Sequence, residues 1–378
     1  MGRALITPGL IRERRRTHPE SMKLFPISML LCWIAVSPLR AEKIVLAAGG
    51  GAAEKDAPAM ECRLREPFGV EFLPSGEMLI AEMTGGNRVL RVDAGGVLRV
   101  IAGTGAKGFS GDGNPAVSAT FNGLHNFVVL ENGDLLLADS FNHAIRKIDA
   151  RSGIVTTFAG DGRKGFRGDG AGAGAAQFDT PIQIALDPTR KNLFVADIGN
   201  KRVRRIVLAT GIVSTVAGNG RAGVPPDGAL AVEAPLADPR AVAAGADGSF
   251  YILERSGNAL RFVDAAGRIR TVAGTGKAGL NGDGGPALEA ALNGPKYIAL
   301  DRDGSVLIAD AENHAIRRYT PKDGKIARVA GTGKQGRAGL GGDPLACELA
   351  RPHGVTVAPD GSLYITDSYN DRILKIVP

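Results

Sequence analysis

Aromatic residues and cysteines are scarce in this chain of 378 residues. Phe, Trp and Tyr together make up 5% of it, there are three cysteines, and the one tryptophan is Trp33. Proteins that bind single-stranded nucleic acid stack the bases on aromatic side chains set among basic ones. This sequence lacks that pattern, so we expect no nucleic-acid partner.

A long hydrophobic run is also missing. The apolar part of residues 22–41, MKLFPISMLLCWIAVSPLRA, is short for a membrane span, and it follows Lys23 in the manner of a secretory signal peptide. Cleavage after Ala41 would leave residues 42–378, for which we expect no membrane span and a periplasmic or extracellular location. An uncleaved membrane anchor is the alternative, and both Met1 and Met22 are candidate start sites.

The excess of positive charge belongs mostly to this leader. The chain has 46 basic and 39 acidic residues. Residues 1–41 hold seven of the basic and two of the acidic residues, which leaves 39 and 37 in residues 42–378 and a net charge of +2. The basic isoelectric point of the whole chain, about 9.4, is therefore no sign that residues 42–378 bind nucleic acid.

Glycine, by contrast, is abundant, with 53 residues. The segment GTGAKGFSGDG, residues 103–113, opens with the Gly-x-Gly-x-x-Gly spacing of dinucleotide-binding turns. The same spacing starts again at Gly160, Gly218, Gly274 and Gly331. None of these copies opens a helix in a βαβ unit, which a nucleotide site requires. Five copies indicate a structural repeat rather than a cofactor site.

A second marker gives the period of the repeat. An acidic residue ends an apolar run six times, at intervals of 56 to 58 residues: Glu82, Asp139, Asp197, Glu254, Asp310 and Asp367. An asparagine follows each of them closely: Asn87, Asn142, Asn200, Asn258, Asn313 and Asn370. Recurrence in every repeat favours a turn brace over catalysis. We expect His143 and His314, which follow two of these asparagines, to be surface turn residues.

Each repeat contains four short strand-like runs. In the fifth repeat these are KYIAL, SVLIAD, AIRRY and KIARVAG, separated by turns rich in Asp and Gly. Six such repeats predict an all-β, six-bladed propeller with four-stranded antiparallel blades over residues 42–378. The sixth repeat lacks its fourth strand, and the segment EKIVLAAGG matches it. We therefore expect residues 44–47 to pair with residues 372–377 and to close the last blade.

Residues 272–319 resemble the NHL repeat, with Asn313, His314 and the following Ile-Arg at the core of the motif. The resemblance extends over residues 43–378 and implies a propeller. It leaves the activity open, because NHL propellers include protein-binding, RNA-binding, structural and lyase members.

The start of the first strand in each repeat is expected to lie at the propeller axis. It shares one face, the long-loop face, with the turns between the second and third strands and with the loops that leave the fourth. The axial ring is Phe68, His125, Ile182, Arg240, Lys296 and His353, and the next positions are Gly69, Asn126, Gln183, Ala241, Tyr297 and Gly354. Unlike the turn brace, these positions differ between repeats, as an asymmetric pocket requires.

Seven of these residues are the predicted ligand-binding set: His125, Asn126, Gln183, Arg240, Lys296, Tyr297 and His353. Their cationic and amide groups suit a carboxylate or a phosphate. The alternative is that the channel holds only water.

His125, Arg240 and His353 lie on alternate repeats. This arrangement resembles the peptidyl-hydroxyglycine amidating lyase, an NHL-type propeller whose zinc is held by three axial histidines. Arg240 cannot ligate a metal, so a closed tetrahedral zinc site is incomplete, and His125 and His353 are the remaining candidate ligands. For calcium, the loops supply one carboxylate each, too few for its shell. We expect turn caps at Asp112, Asp169, Asp227, Asp283 and Asp343.

Two cysteines and a set of arginines also recur at fixed positions of the repeat. Cys62 and Cys347 occupy the same small-residue position in the loops before the first and sixth repeats, where adjacent blades are usually too far apart for a disulfide, so we expect both to be unpaired. The arginines of the third strand are placed at the outer part of the blades. They are Arg91, Arg146, Arg204, Arg261 and Arg317.

Two functions follow from these features. The first is an exported, non-enzymatic platform that binds another protein or an anionic ligand through the long-loop face. The second is a lyase or hydrolase, metal-dependent or not, working at the mouth of the axial channel. In that enzyme His125 or His353 would act as acid/base or metal ligand, and Arg240 would hold a substrate carboxylate.

Overall fold

The computed structural model describes residues 42–378. The predicted signal peptide, its cleavage after Ala41 and the choice of start site lie outside the described residues. Within residues 42–378 the chain forms six antiparallel sheets. Their innermost strands contact one another in cyclic order, which gives the predicted six-bladed propeller. In the same range no helix has the length and apolarity needed to cross a bilayer.

Each blade contains four consecutive main strands, apart from the last blade. Blade 1 comprises β3 (Pro67–Phe72), β4 (Met78–Glu82), β5 (Arg88–Val92) and β6 (Val97–Ala102), and the short β2 (Ala57–Pro58) extends its outer edge. Blade 2 comprises β7 (Leu124–Val129), β8 (Leu135–Asp139), β9 (Ala144–Ile148) and β10 (Val155–Ala159). Blade 3 comprises β11 (Pro181–Leu186), β12 (Asn192–Asp197), β13 (Arg202–Val207) and β14 (Val213–Ala217).

The other three blades repeat this order. Blade 4 comprises β15 (Pro239–Ala244), β16 (Phe250–Glu254), β17 (Ala259–Val263) and β18 (Ile269–Ala273). Blade 5 comprises β19 (Tyr297–Leu300), β20 (Val306–Asp310), β21 (Ala315–Thr320) and β22 (Lys325–Ala330). Blade 6 comprises β23 (Gly354–Val357), β24 (Leu363–Asp367) and β25 (Arg372–Val377), with β1 (Lys43–Gly49) as its outermost strand.

Short 3₁₀ helices occupy two kinds of connection. Five lie in the long loops between blades: Ala59–Glu61, Ala116–Ser118, Ala173–Ala175, Ala287–Glu289 and Pro344–Ala346. Three lie in the turns between the second and third strands of a blade: Ser140–Asn142, Ala311–Asn313 and Ser368–Asn370. The fourth helix of the long-loop set follows Pro286 directly.

The two ends of the propeller close blade 6 as predicted. Strand β1 pairs antiparallel with β25, with Lys43 opposite Val377 and Gly49 opposite Arg372. Strand β1 also contacts the long loop that precedes blade 6, where the backbone N–H of Ile44 donates to the carbonyl oxygen of Gly342 at 3.0 Å. The ring therefore has no open end where a linear array would need a cap.

The apolar core lies between neighbouring blades. It consists of six clusters, each made of buried side chains from two adjacent blades, and the cluster across the closure joins Ala48 and Ile373 to Leu64 and Val70. Cys62 and Cys347 lie in two of these clusters as free thiols, which confirms that they are unpaired. Burial raises the pKa of both thiols.

The glycine-rich loops are strand exits, as the repeat predicts. Gly160 has φ +91°, and a Cβ there would lie 2.6 Å from the carbonyl oxygen of His143. Gly103, Gly218, Gly274 and Gly331 have the same left-handed backbone and the same close approach to the preceding turn. Glycine is required because L side chains rarely adopt this conformation.

The predicted brace between the acidic residue and its asparagine is confirmed in blades 2, 3, 5 and 6, and it is wrong for Asn87 in blade 1 and Asn258 in blade 4. In blade 2 the carboxylate of Asp139 accepts hydrogen bonds from the backbone N–H of Asn122 at 2.7 Å and from Nδ2 of Asn142 at 2.8 Å. Blades 3, 5 and 6 repeat the asparagine contact. In blades 1 and 4 the acidic residue is a glutamate, and an arginine donates to it instead: Arg88 to Glu82 and Arg261 to Glu254.

The third-strand arginines of blades 2, 3 and 5 are fully buried. In blade 2, Nη2 of Arg146 lies 2.6 Å from Oδ1 of Asp112, and Nη1 lies 3.3 Å from Oδ2 of Asp139. Arg204 and Arg317 are held in the same way. The loop aspartates of these blades thus anchor an arginine, and the predicted side-chain cap is seen at Asp343, which accepts from the N–H of Leu345.

Candidate functional site

The predicted axial ring lines one cavity of about 470 Å³ at the long-loop face. All six ring side chains contribute to it, together with residues from the turns between second and third strands, among them Phe141, Lys201, Arg255 and Tyr369. The ring members are Phe68, His125, Ile182, Arg240, Lys296 and His353. The structure therefore places the start of the first strand and these turns on the same face. We refer to this space as the axial cavity.

The other three predicted ligand residues lie deeper, where they cross the channel. Nδ2 of Asn126 in blade 2 donates to the hydroxyl oxygen of Tyr297 in blade 5 at 2.9 Å. Nε2 of Gln183 in blade 3 donates to the carbonyl oxygen of Ile298 in blade 5 at 3.0 Å. Asn126 also accepts from the backbone N–H of Ile184 at 2.8 Å. Together these three side chains close the channel, and we refer to them as the polar plug. They lie apart from the four ionisable residues at the mouth, which are His125, Arg240, Lys296 and His353.

One wall of the axial cavity is aromatic. The rings of Phe68 and His353 stack with centroids 4.0 Å apart, and the edge of Phe68 meets His125 at 5.5 Å. Tyr369 continues the wall beyond His353, and Phe141 continues it beyond His125. A flat apolar group can pack against this wall.

Both histidines of this wall are neutral and have their Nδ1 atoms occupied. Nδ1 of His353 lies 2.8 Å from the carbonyl oxygen of Arg351, which only accepts, so Nδ1 carries the hydrogen. Nδ1 of His125 lies 2.9 Å from Oγ of Ser140, whose own hydrogen goes to the carbonyl oxygen of Pro181. Burial, and then the charge of Arg240, hold the pKa of both histidines well below its ordinary value. Each Nε2 atom therefore keeps a free lone pair.

The opposite wall is basic. Arg240 is 6% exposed and makes no ion pair or side-chain hydrogen bond within residues 42–378, and its Nε atom is buried without a partner. Burial lowers the pKa of Arg240 to about 9, the charge of Arg255 adds to the effect, and Asp238 opposes it. Arg255 is already paired with Asp238, at 2.7 Å.

Lys296 supplements Arg240 on this wall. Its Nζ lies 3.3 Å from Oε1 of Glu312, which is shared with Arg351. Burial, and then the charge of Arg240, lower the pKa of Lys296 to about 8 although Glu312 opposes the change. The cavity is lined by four basic and two acidic side chains besides the neutral histidines, so its net charge is positive.

The donor set does not fit a closed zinc site. The third axial position is a guanidinium, which has no lone pair to give, and two imidazoles leave a tetrahedral site short of protein ligands. Within the described part of the chain, no group of three or more His, Cys, Asp and Glu side chains is arranged to hold a metal ion. We derive no chemical step through a metal.

Ten residues that line the cavity were not predicted from the sequence, among them Phe141, Asp238, Arg255 and Tyr369. Phe141, Arg255 and Tyr369 lie one or two positions after the repeated acidic residue, where the repeats differ from one another. That variation is the same signal that identified the axial ring.

Comparison with known proteins identifies the repeat. A model of the NHL repeat matches residues 349–376, which include β23, β24 and all but the last residue of β25 in blade 6. The chain is 28% identical over 288 residues to Protein SUPPRESSOR OF QUENCHING 1, chloroplastic, of Arabidopsis thaliana, an alignment that covers 73% of this chain and 27% of the relative. It is 28% identical over 331 residues to NHL repeat-containing protein 2 of Gallus gallus, covering 79% and 44%. The chain thus spans less than half the length of these relatives.

Solved structures share the fold at low sequence identity. An auxiliary nutrient binding protein from Bacteroides thetaiotaomicron superposes with a TM-score of 0.64 at 14% identity, covering 89% of this chain and 76% of that one. A virginiamycin B lyase from Staphylococcus aureus superposes with a TM-score of 0.54 at 14% identity, covering 89% and 99%. At such identity these likenesses establish the propeller alone.

Proposed function

Because this chain is an NHL-repeat β-propeller, a fold that hosts unrelated activities, we propose its function from the site: it binds an anionic ligand in the axial cavity. One observation carries the proposal. Arg240 is a buried guanidinium with no counter-ion within residues 42–378. An unpaired buried charge is costly to the folded protein, and an anion bound beside it would remove that cost.

The neighbouring groups define the ligand more closely. Arg240 and Lys296 offer N–H donors to a carboxylate or a phosphate, and the two stacked rings of Phe68 and His353 offer a flat apolar surface. The cavity, at about 470 Å³, has the size of a small-molecule site. An aryl or other planar carboxylate can both accept hydrogen bonds from Arg240 and Lys296 and pack against the aromatic wall.

We extend the proposal to anionic groups displayed by another protein. The long loops carry exposed apolar side chains, among them one at a similar position in each of five loops: Phe109, Phe166, Val224, Leu280 and Leu340. A partner that places an acidic side chain in the axial cavity would cover these residues. With the predicted signal peptide, we place this activity outside the cytoplasm.

The test compares ligand binding with stability in one variant. Arg240→Met keeps the volume and removes the charge, and Arg151→Met in an exposed loop is the control. Benzoate and phenyl phosphate are titrated by calorimetry, and melting temperatures are measured with and without them. We expect Arg240→Met to weaken binding at least about tenfold and to raise the melting temperature of the ligand-free protein.

The two readouts separate a binding role from a structural one. If Arg240 only supported the fold, its replacement would lower the melting temperature and leave affinity unchanged. Equal binding of benzoate by the wild type and Arg240→Met would overturn the proposal, and so would the absence of any anion-dependent stabilisation of the wild type.

A lyase or hydrolase at the same site is the second candidate. The free lone pairs on Nε2 of His125 and His353 favour it, because a neutral imidazole beside a bound carboxylate is placed to remove a proton. Phenylacetate, an aryl carboxylate that has C–H bonds next to the carboxylate, is incubated with the protein in deuterated water and followed by proton NMR. Loss of the C–H signal next to the carboxylate, absent in His353→Gln and His125→Gln, would identify an enzyme, and unchanged spectra a binding protein.

A further inference from the structure

A second cavity, of about 350 Å³, lies at the opposite mouth of the channel, beyond the polar plug. It is bounded by the ends of the innermost strands and by the turn that contains Asp187 and Arg190. Small and apolar residues of the innermost strands form most of its wall: Val128, Ala185, Ala243 and Ala299. The corresponding position in blade 1 is Glu71. We refer to this space as the far cavity.

Glu71 is a carboxyl group without a protein partner. Within residues 42–378 it forms no ion pair and accepts no hydrogen bond, and it is half-buried in the wall of the far cavity. Burial raises the pKa of Glu71 to about 8, with Arg190 acting weakly in the opposite direction. Arg190 itself donates to the carbonyl oxygen of Val129 at 2.8 Å. The exposed guanidinium of Arg190 attracts an ionised Glu71 but forms no ion pair with it.

A second unsatisfied acceptor faces the same space. Oε1 of Gln183 is buried without a hydrogen-bond partner, and the whole side chain is 3% exposed. Its amide nitrogen is held by Ile298, which fixes the orientation of the group. Leaving a buried amide oxygen unpaired destabilises a protein unless a ligand or water satisfies it.

The other polar groups of the far cavity are satisfied or lie at its rim. The carboxylate of Asp187 accepts hydrogen bonds from Thr189, from Asn192 and from the backbone of Lys191. The hydroxyl of Tyr297 accepts from Asn126, and burial raises its pKa so that it stays protonated. Arg190 is exposed at the rim. The two unsatisfied groups farther inside, Glu71 and Gln183, are both acceptors, which favours a ligand that brings N–H donors and positive charge.

We propose that the far cavity is a second binding site, which takes a primary ammonium group with Glu71 as its counter-ion and Oε1 of Gln183 as its hydrogen-bond acceptor. The alanine-lined wall receives the carbon atoms attached to the ammonium. The site is separate from the axial cavity, because the hydrogen bond from Asn126 to Tyr297 closes the channel between them.

The test uses proton linkage on the whole protein. Methylammonium is the probe, and tetramethylammonium, which has the charge but no N–H, is the matched control ligand. Because an ammonium binds the ionised carboxylate, binding at neutral pH releases the proton of Glu71. We expect the affinity for methylammonium to rise about tenfold per pH unit up to about pH 8 and then to level off. Calorimetry in buffers of different ionisation enthalpy measures the released proton.

Three variants assign the effect. Glu71→Gln should abolish binding and proton release, and Gln183→Leu should weaken methylammonium binding about tenfold. Glu131→Gln, an exposed carboxylate outside the far cavity, should match the wild type. Glu71→Gln should also melt at a higher temperature than the wild type near pH 9, because it lacks the unpaired charge, and this shows that the variant is folded.

The outcomes are decisive in both directions. Failure of the wild type to bind methylammonium above pH 8, or equal binding by Glu71→Gln, overturns the site. Equal affinity for tetramethylammonium removes the assigned role of Gln183. The result does not depend on the anion site, since Arg240→Met should bind methylammonium as the wild type does.

Discussion

Nδ1 of His314 accepts a hydrogen bond from the backbone N–H of Arg351 at 3.1 Å, and this bond joins blade 5 to blade 6. His314 has a left-handed backbone, with φ +49°. The equivalent residues of four other blades make the same bond to the next blade: Asn87 to Gly123, His143 to Thr180, Asn258 to Gly294, and Asp371 to Glu66. His143 and His314, predicted to be surface turn residues, thus connect the blades. Lys201 takes this position in blade 3.

Substitution of His314 tests the connecting bond. His314→Lys introduces the residue that blade 3 has at this position. Lysine adopts the left-handed backbone there, as Lys201 shows, but its side chain has no hydrogen-bond acceptor. We expect it to lower the free energy of unfolding by about 1 kcal/mol, as measured by urea titration. His314→Asn should retain the stability of the wild type, because asparagine already makes this bond in blades 1 and 4. Equal stability of all three proteins would show that the bond contributes nothing.

Acidification should break the bonds made by the two histidines. Burial holds the pKa of His143 and His314 below its ordinary value. The unfolded chain therefore binds protons first as the pH falls below about 6.5, and the stability present above that pH is lost towards the lower folded pKa. In the double variant His143→Asn/His314→Asn the bonds remain and no proton binds. Its melting temperature should fall less between about pH 6.5 and pH 5 than that of the wild type. Parallel curves would contradict this.

The ring of blades and the residues at the mouth of the axial channel could be predicted because each repeat places its strands at nearly the same distance in sequence from the repeated acidic residue. Once the acidic residues were aligned, His125, Arg240 and His353 took equivalent positions, and the cavity contains them. The orientation of the following residues was harder to predict, because alternate residues of a strand face opposite sides. Asn126 and Tyr297 consequently cross the channel instead of lining its mouth.

The spacing of the repeat indicates one further feature but does not reveal a second. Glu82 and Asn87 are five residues apart, and Glu254 and Asn258 are four apart, whereas the other pairs are three apart. Those asparagines therefore occupy the connecting position between blades instead of the brace. The burial of the third-strand arginines depends on contacts with loop aspartates about 35 residues away, which a local pattern does not reveal.

The aromatic wall can be tested through Phe68. Phe68→Leu removes the ring stacked on His353 and leaves the bond between His353 and the carbonyl oxygen of Arg351 in place. We expect benzoate to bind about two- to tenfold more weakly, as measured by calorimetry. Phe141→Leu, an edge contact to His125 on a more exposed ring, should have a smaller effect. A larger loss in Phe141→Leu would place the ligand elsewhere in the cavity.

The buried ion pairs should dominate stability. Asp310 braces its turn through Asn313 and the backbone of Asn293, and it faces the fully buried Arg317 at 3.6 Å. Asp310→Asn leaves the arginine with Asp283 alone and should lower the free energy of unfolding by about 3 kcal/mol. Asp323→Asn, in an exposed turn of the same blade, should change it by less than about 0.5 kcal/mol. Similar losses in both variants would show that the buried charge has no special role.

Closure of the ring should depend on the first strand of the propeller. Ile44 is fully buried in the cluster between blades 5 and 6, and β1 covers the edge of β25. Ile44→Asp buries an unpaired charge and should free that edge, so we expect a loss of several kcal/mol and concentration-dependent association. Lys43→Asp, at an exposed position of the same strand, is the control. Added peptide EKIVLAAGG should restore the monomer, measured by light scattering, because it can pair with the vacant edge in place of β1. A monomeric, fully stable Ile44→Asp protein would contradict the role of β1 in holding the ring together.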